Sequence, residues 1–243
     1  MFLIVTAYYN IPSKKPYSFY LEHIQLFFKY IKTLVLFFTD SQNYNVFKNL
    51  AGPNVTFKIQ EFETLDIFNN FSIDFWKHEI TKDPENSYHT WQLGSLWANK
   101  SRFVKVASSL FKQYEWYMWV DCGCIRNDSW LPIIDGFGSR TLPSIKGVYV
   151  QLLNPIPDKN FFIYPNIHVA GSHILFHKDY IDTYITAYSD MLKEYNKNNI
   201  PLISDQYIIT SMIKRNYTFL HYILYNPIYH NVPDKWFFFF MRF

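Results

Sequence analysis

An aspartate closes the run Glu115-Trp116-Tyr117-Met118-Trp119-Val120-Asp121, and Cys122-Gly123-Cys124 follow it. So apolar and aromatic a run reads as a buried strand. A carboxylate at the C-terminal end of a strand sits where open α/β sheets bind their ligands. Mg²⁺ and Mn²⁺ take carboxylate oxygens and keep open positions for phosphate, so Asp121 is a candidate metal ligand. The bland alternative is an aspartate that caps a strand-end turn. A second acidic candidate, Asp205, stands in Ser204-Asp205-Gln206, ahead of Tyr207, Ile208, Met212 and Ile213 at helical spacing. It suits a general base acting on an acceptor hydroxyl; equally, Ser204 or Asp205 caps the helix. Only seven glycines occur, which argues against a glycine-rich phosphate cradle and leaves phosphate to a metal or to basic side chains.

The elements that must position these groups alternate. Residues 2–9 are a continuous apolar strand, residues 17–31 carry a helical period, residues 33–39 form a second strand, residues 43–50 a short helix stopped at Gly52-Pro53, and residues 55–62 a third strand. This βαβαβ rhythm predicts a doubly wound, mostly parallel sheet flanked by helices. Residues 66–86 read as loosely helical or irregular, residues 88–113 as one long helix, and 115–121 as the fourth strand. Beyond Pro132 the pattern gives strands near 146–153, 161–164 and 171–176, helices at about 178–195 and 205–215, and an aromatic, proline-punctuated tail from Pro227.

The remaining features exclude more than they assign. The net charge of +3 is spread without a basic stripe, so no nucleic-acid partner is expected. No apolar run approaches the ~18 residues of a membrane span, and the N-terminus reads as a strand, not a signal peptide. Cys122 and Cys124 are too close together to staple a domain, which favours a reducing, cytoplasmic compartment. Tyr9-Asn10-Ile11-Pro12 stands where a dinucleotide-binding protein needs its glycine fingerprint, and neither Gly-x-Ser-x-Gly nor His-Glu-x-x-His occurs.

Four segments in order, Thr6-Ala7-Tyr8-Tyr9, Phe38-Thr39-Asp40, His89 through Trp97-Ala98-Asn99-Lys100, and Trp119 through Asp121-Cys122-Gly123-Cys124-Ile125-Arg126, together resemble the HtrL/YibB family of bacteria and large DNA viruses. Its members look like glycosyltransferases of the GT-A type. The resemblance covers most of the chain and is best in the first 130 residues. It implies a GT-A-like α/β fold in one domain over 1–243, with 1–130 as the nucleotide-sugar-binding half and 131–243 as the acceptor-side half with a closing tail. It implies transfer of a sugar from a nucleoside diphosphate sugar, a UDP sugar in the first instance, to a hydroxyl on a glycan or protein, assisted by Mn²⁺ or Mg²⁺. If the chain is viral, its compartment is the host cytoplasm or the virion.

The resemblance also distributes roles. Thr6, Ala7 and Tyr8 at the end of the first strand would meet base and ribose, with Tyr8 able to stack on a pyrimidine, and Asp40 would bind a ribose hydroxyl. Lys100 would meet the diphosphate, although most helical lysines are simply solvated. His168 and Gly171, with Val169-Ala170-Gly171-Ser172-His173, would close on the donor sugar; a tight turn between solvated histidines is the alternative. His230 through Lys235-Trp236 is similar to the His-x-x-Gly-x-Lys-Pro-Trp segment of glycogenin-type transferases, which implies His230 as a metal ligand beside Asp121 and Lys235 on the leaving diphosphate. The chain departs from an Asp-x-Asp metal motif at Gly123. That departure supports a rival expectation: a degenerate transferase fold that binds sugar or nucleotide without turnover.

Overall fold

Phe2–Tyr8 (β1) is buried at every position, as a central parallel strand covered on both faces must be. A computed structural model describes residues 1–157 and 167–243 and sets β1 inside a seven-stranded sheet. The other strands are β2 (Val35–Thr39), β3 (Val55–Ile59), β4 (Trp116–Val120), β5 (Val148–Leu152), β6 (Val169–His177) and β7 (Leu220–Leu224), in the order β3-β2-β1-β4-β6-β5-β7. β1 lies parallel to β2 (Ile4 opposite Val35) and to β4 (Phe2 opposite Trp116). Only β6 runs against its neighbours, with Val120 opposite His173. The expected α/β class with a mostly parallel sheet is therefore the observed one.

The helices are α1 (Tyr17–Tyr30), α2 (Ser41–Phe47), α3 (Ile73–Glu79), α4 (Trp91–Ala98), α5 (Lys100–Leu110), α6 (Leu131–Ile134), α7 (Ile181–Lys197), α8 (Asp205–Lys214) and α9 (Phe239–Arg242). Alternation along β1 sorts the core into two layers, since successive side chains point to opposite faces. Leu3, Val5 and Ala7 pack with Phe103, Val104, Tyr184 and Ile208 of α5, α7 and α8. Phe2, Ile4 and Tyr8 pack with Ile24 and Phe27 of α1 and with Phe237 to Phe240 of the tail. Among the described residues, no helix is long and apolar enough to cross a membrane.

Two expectations need revision, and one strand was not expected. The helix expected over 88–113 is two helices that break at Asn99. This buried side chain accepts the Ile67 backbone N–H at 3.0 Å, a long-range bond that periodicity does not carry. The expected tail contains structure: Asp234 caps a short turn at Lys235–Phe237, and α9 follows. β7 precedes that tail as a half-exposed edge strand. The strand expected at 161–164 lies outside the described residues.

Candidate functional site

The carboxyl ends of β1 and β4 open into two adjoining cavities. The larger, of about 370 Å³, is walled by Ala7, Tyr8, Tyr9, Tyr20 and Trp97. The smaller, of about 290 Å³, is walled by Ser172, Asp205, Gln206, Asp234 and Trp236. Trp97, Lys100, Asp121, Arg126 and Phe237 border both, so one cleft runs from an aromatic end to a polar end across Asp121.

Asp121 owes its place to the sheet. Its N–H donates to Ser172 O at 2.9 Å, which continues the β4–β6 ladder by one residue. Its carboxylate, 39% exposed, accepts the Trp119 indole N–H at 2.7 Å. Lys100, the first residue of α5, brings its ammonium to 3.4 Å from Asp121 Oδ1, 2.8 Å from Asp205 Oδ2 and 2.8 Å from Gly171 O. A lysine at a helix N-terminus opposes the macrodipole, and an aspartate there complements it. The two carboxylates, not the helix, hold Lys100, while Asp205 is well placed as the first residue of α8. Burial by itself would lower the Lys100 pKa; Asp121 and Asp205 outweigh it and hold the ammonium above its ordinary value. Asp121 is pushed upward because desolvation in the cleft exceeds the help of Lys100, whose one charge is shared between two carboxylates.

The other expected site residues divide. Ala7 and Tyr8 line the aromatic cavity, whereas Thr6 is fully buried and lines neither cavity. Asp40 is the N-cap of α2: its two oxygens accept Asn43 N and Asn43 Nδ2 at 2.7 and 2.8 Å. It borders a neighbouring cavity with Glu61 and Gln92. Gly171 lines the polar cavity, but its missing side chain makes room for Asp205, because a Cβ there would lie 2.5 Å from Asp205 Oδ2. His168 is buried and lines neither cavity.

His230 also borders neither cavity. Its Nδ1 accepts the Asn226 N–H at 3.0 Å, and its ring packs on Tyr225 and Phe238. Burial lowers its pKa. Lys235 sits between wall residues Asp234 and Trp236 without lining the cleft itself. The described groups around Asp121 do not assemble a shell for a divalent ion. One Asp121 oxygen is committed to Trp119 and Lys100, an ammonium stands between the carboxylates, Gly123 brings no second ligand, and His230 is occupied elsewhere. Among the described residues, the group of three or more His, Cys or acidic side chains close enough to share an ion is Asp83, Glu85 and His89. They lie in the loop before α4, where His89 Nδ1 and Asp83 Oδ2 are already hydrogen-bonded at 3.1 Å.

Sequence reasoning missed two residues that shape the cleft and its tail. Arg126 borders both cavities, exposed and seated over the Phe237 ring at 5.4 Å; its position two residues past Cys124 was the available signal. Gln151 is fully buried and ties down the tail. Its Nε2 donates to Ser172 Oγ and to Trp236 O, both at 3.0 Å, and its Oε1 accepts the Phe239 N–H at 3.0 Å. Nothing in the sequence around Gln151 announces that. The thiols are buried, and burial, with Asp121 beside it, pushes Cys122 up to about 12. Burial raises Cys124 as well, so neither thiol has the low pKa that a nucleophilic cysteine needs.

No family model matches the chain, and no curated protein does. Among solved structures, it is similar to a glycosyltransferase involved in the glycosylation of the major capsid of PBCV-1, with 12% identity and a TM-score of 0.46 over 93% of this chain and 81% of that one. It is also similar to a protein described as a nucleotide-diphospho-sugar transferase from Desulfovibrio desulfuricans G20, with 8% identity and a TM-score of 0.42 over 91% and 79%. A third is CMP:2-keto-3-deoxy-manno-octonic acid synthetase in complex with CTP, with 8% identity and a TM-score of 0.43 over 93% and 90%.

Proposed function

We propose that the chain is a GT-A-type glycosyltransferase that moves a sugar from a UDP sugar to a hydroxyl of a glycan or protein. The observation that carries this reading is the cleft itself: an aromatic cavity and a polar cavity joined across Asp121, with a buried carboxylate, Asp205, facing the polar one. In this reading residues 1–130 serve the donor and residues 131–243 the acceptor. The uracil ring stacks among Tyr8, Tyr20 and Trp97, since aromatic faces take a flat heterocycle well. The diphosphate passes Arg126, which, unlike Lys235, borders the cleft and can offer two parallel N–H donors to phosphate oxygens. The sugar reaches the polar cavity. There the acceptor oxygen forms a bond to the anomeric carbon as the bond to the diphosphate breaks. Asp205 takes the hydroxyl proton, and UDP leaves with its electron pair. The Mn²⁺ or Mg²⁺ expected from Asp121 and His230 is not part of this reading, because the groups around Asp121 do not fit it.

The clamp of Lys100 on Asp205 favours one second reading, in which the same cleft binds a sugar nucleotide without turnover. A panel of UDP, GDP and CMP sugars distinguishes the two. Thermal shifts report binding, and mass spectrometry reports free nucleotide and glycosylated acceptor. Release of UDP coupled to acceptor glycosylation establishes transfer; binding without release across all acceptors leaves the second reading; the absence of any shift removes both.

A further inference from the structure

The Lys100 ammonium faces three oxygens: it donates to Asp205 Oδ2 and Gly171 O and forms an ion pair with Asp121 Oδ1 at 3.4 Å. A compact point charge ringed by two carboxylates and a carbonyl has the donor set of a hard-cation site, in which carboxylate and backbone oxygens surround the metal. The ammonium is buried, lies 5.8 Å from the centroid of the Trp119 ring, and borders both cavities at the point where they meet. A divalent ion needs metal–oxygen distances of about 2.0–2.6 Å to the same atoms, so it and the ammonium cannot occupy the position together. Gly123 adds a second observation. A Cβ there meets nothing within 4 Å, so among the described residues no side chain takes the place that a carboxylate at this position would fill.

We propose that Lys100 is the resident cation of this cleft: its ammonium holds the place between Asp121 and Asp205 that a divalent ion would otherwise take. Resting on the reading of the cleft as a diphosphate site, the assignment also makes nucleotide binding independent of metal. Asp121 then acts as a positioning residue that helps fix Lys100, and the fixed charge sits at the mouth through which the diphosphate passes.

Mn²⁺ titrations followed by electron paramagnetic resonance decide the matter without any nucleotide. The parent and Asp121→Asn should bind Mn²⁺ identically, with the Asp83, Glu85 and His89 group common to both. A Mn²⁺ site present in the parent and abolished by Asp121→Asn overturns the proposal. Lys100→Ala leaves two carboxylates facing an empty position and should gain a Mn²⁺ site at least about tenfold tighter than any in the parent. Lys100→Ala with Asp205→Asn should lose that site again. A folded Lys100→Ala protein that gains no Mn²⁺ overturns the proposal; should that variant fail to fold, the comparison of parent with Asp121→Asn decides alone. Calorimetry with UDP supplies the linked test. The affinity of the parent in excess EDTA should match that in Mn²⁺ within about twofold, whereas tightening by more than about tenfold on adding Mn²⁺ also overturns the proposal. A parent that binds no UDP under either condition defeats the glycosyltransferase reading and is told apart from failure of the Lys100 assignment, because the Mn²⁺ titrations need no nucleotide.

Discussion

A methyl group at Gly171 would lie 2.5 Å from Oδ2 and 2.8 Å from Oδ1 of Asp205. The carboxylate cannot swing aside freely, since Lys100 grips the same Oδ2 at 2.8 Å. Gly171→Ala should therefore destabilise the protein by about 1–3 kcal/mol, the usual cost of overpacking a filled interior, and should reduce transfer by displacing Asp205. Gly123→Ala is the matched control. Its Cβ meets nothing within 4 Å, and its stability should stay within about 0.5 kcal/mol of the parent. Urea denaturation of both variants measures the contrast; equal midpoints would show that Asp205 has slack.

How much of this was legible depends on whether the signal is local. β1, β2 and β4 were legible because buried parallel strands are unbroken apolar runs, and Asp121 because it closes one. β7 was not: Leu220–Leu224 is a half-exposed edge strand whose outward positions, Tyr222 and Leu224, are as apolar as its inward ones. The break at Asn99 and the clamp of Lys100 on Asp205 are side-chain contacts spanning 32 and 105 residues, which no window of sequence contains. Gly171 was expected to close on the donor sugar; the space left by its missing side chain is taken by Asp205, 34 residues on, which no local pattern shows. Asp40 lay at a strand end as expected, and there it caps α2 instead of pointing both oxygens at the cleft.

Asp205→Asn keeps the size of the side chain and removes its basicity. Donor binding should be nearly unchanged, and transfer should fall by roughly two orders of magnitude, the usual weight of a positioned base. Calorimetry with UDP alongside turnover reads both quantities. Transfer at the parent rate would mean that Asp205 serves only to hold Lys100.

Arg126 is exposed and stands beside the Phe237 ring, so little of the fold depends on it. Arg126→Ala should leave the urea midpoint unchanged and weaken UDP at least about tenfold, in line with charged hydrogen bonds of about 1.5–3 kcal/mol each, partly replaced by water. UMP, which lacks the second phosphate, should lose less than UDP does. Equal losses for the two ligands would place the guanidinium at the nucleoside and not at the diphosphate.

His173 makes stability depend on pH. It is fully buried against Phe237 and Phe240. Burial, with the nearby Lys100 charge, lowers its pKa to about 3, while an unfolded histidine titrates near 6.5. Between those values the unfolded chain binds the proton and the folded chain does not. The stability contribution is therefore complete above about pH 6.5 and is lost as pH falls toward 3. Linkage puts the His173 share at about 2 kcal/mol between pH 7 and pH 5. His173→Leu should remove that share of the slope in urea titrations at the two pH values. An undiminished slope would assign the acid sensitivity to other groups.

Gln151→Leu tests how the tail is held. The substitution keeps the volume roughly constant and leaves the buried Phe239 N–H without its acceptor, Gln151 Oε1, at a cost of about 1–3 kcal/mol. Trp236 O keeps the Ser172 hydroxyl as a donor. Against this stands the burial of Phe237, Phe238, Phe239, Phe240 and Phe243, each at most 4% exposed and each worth about 1.5–3 kcal/mol. The apolar term exceeds the polar one, so the tail should stay docked and the loss should appear as local opening. Hydrogen exchange should then quicken about tenfold or more at residues 234–240, because about 1.4 kcal/mol of local stability is one factor of ten, with β4 unchanged. Donor binding should weaken in parallel, since Asp234, Trp236 and Phe237 wall the cleft. If exchange at 234–240 matches the parent, the phenylalanine cluster alone fixes the tail and Gln151 is dispensable. If β4 quickens by the same factor, the tail and the sheet open as one unit and the cleft wall has no independent motion.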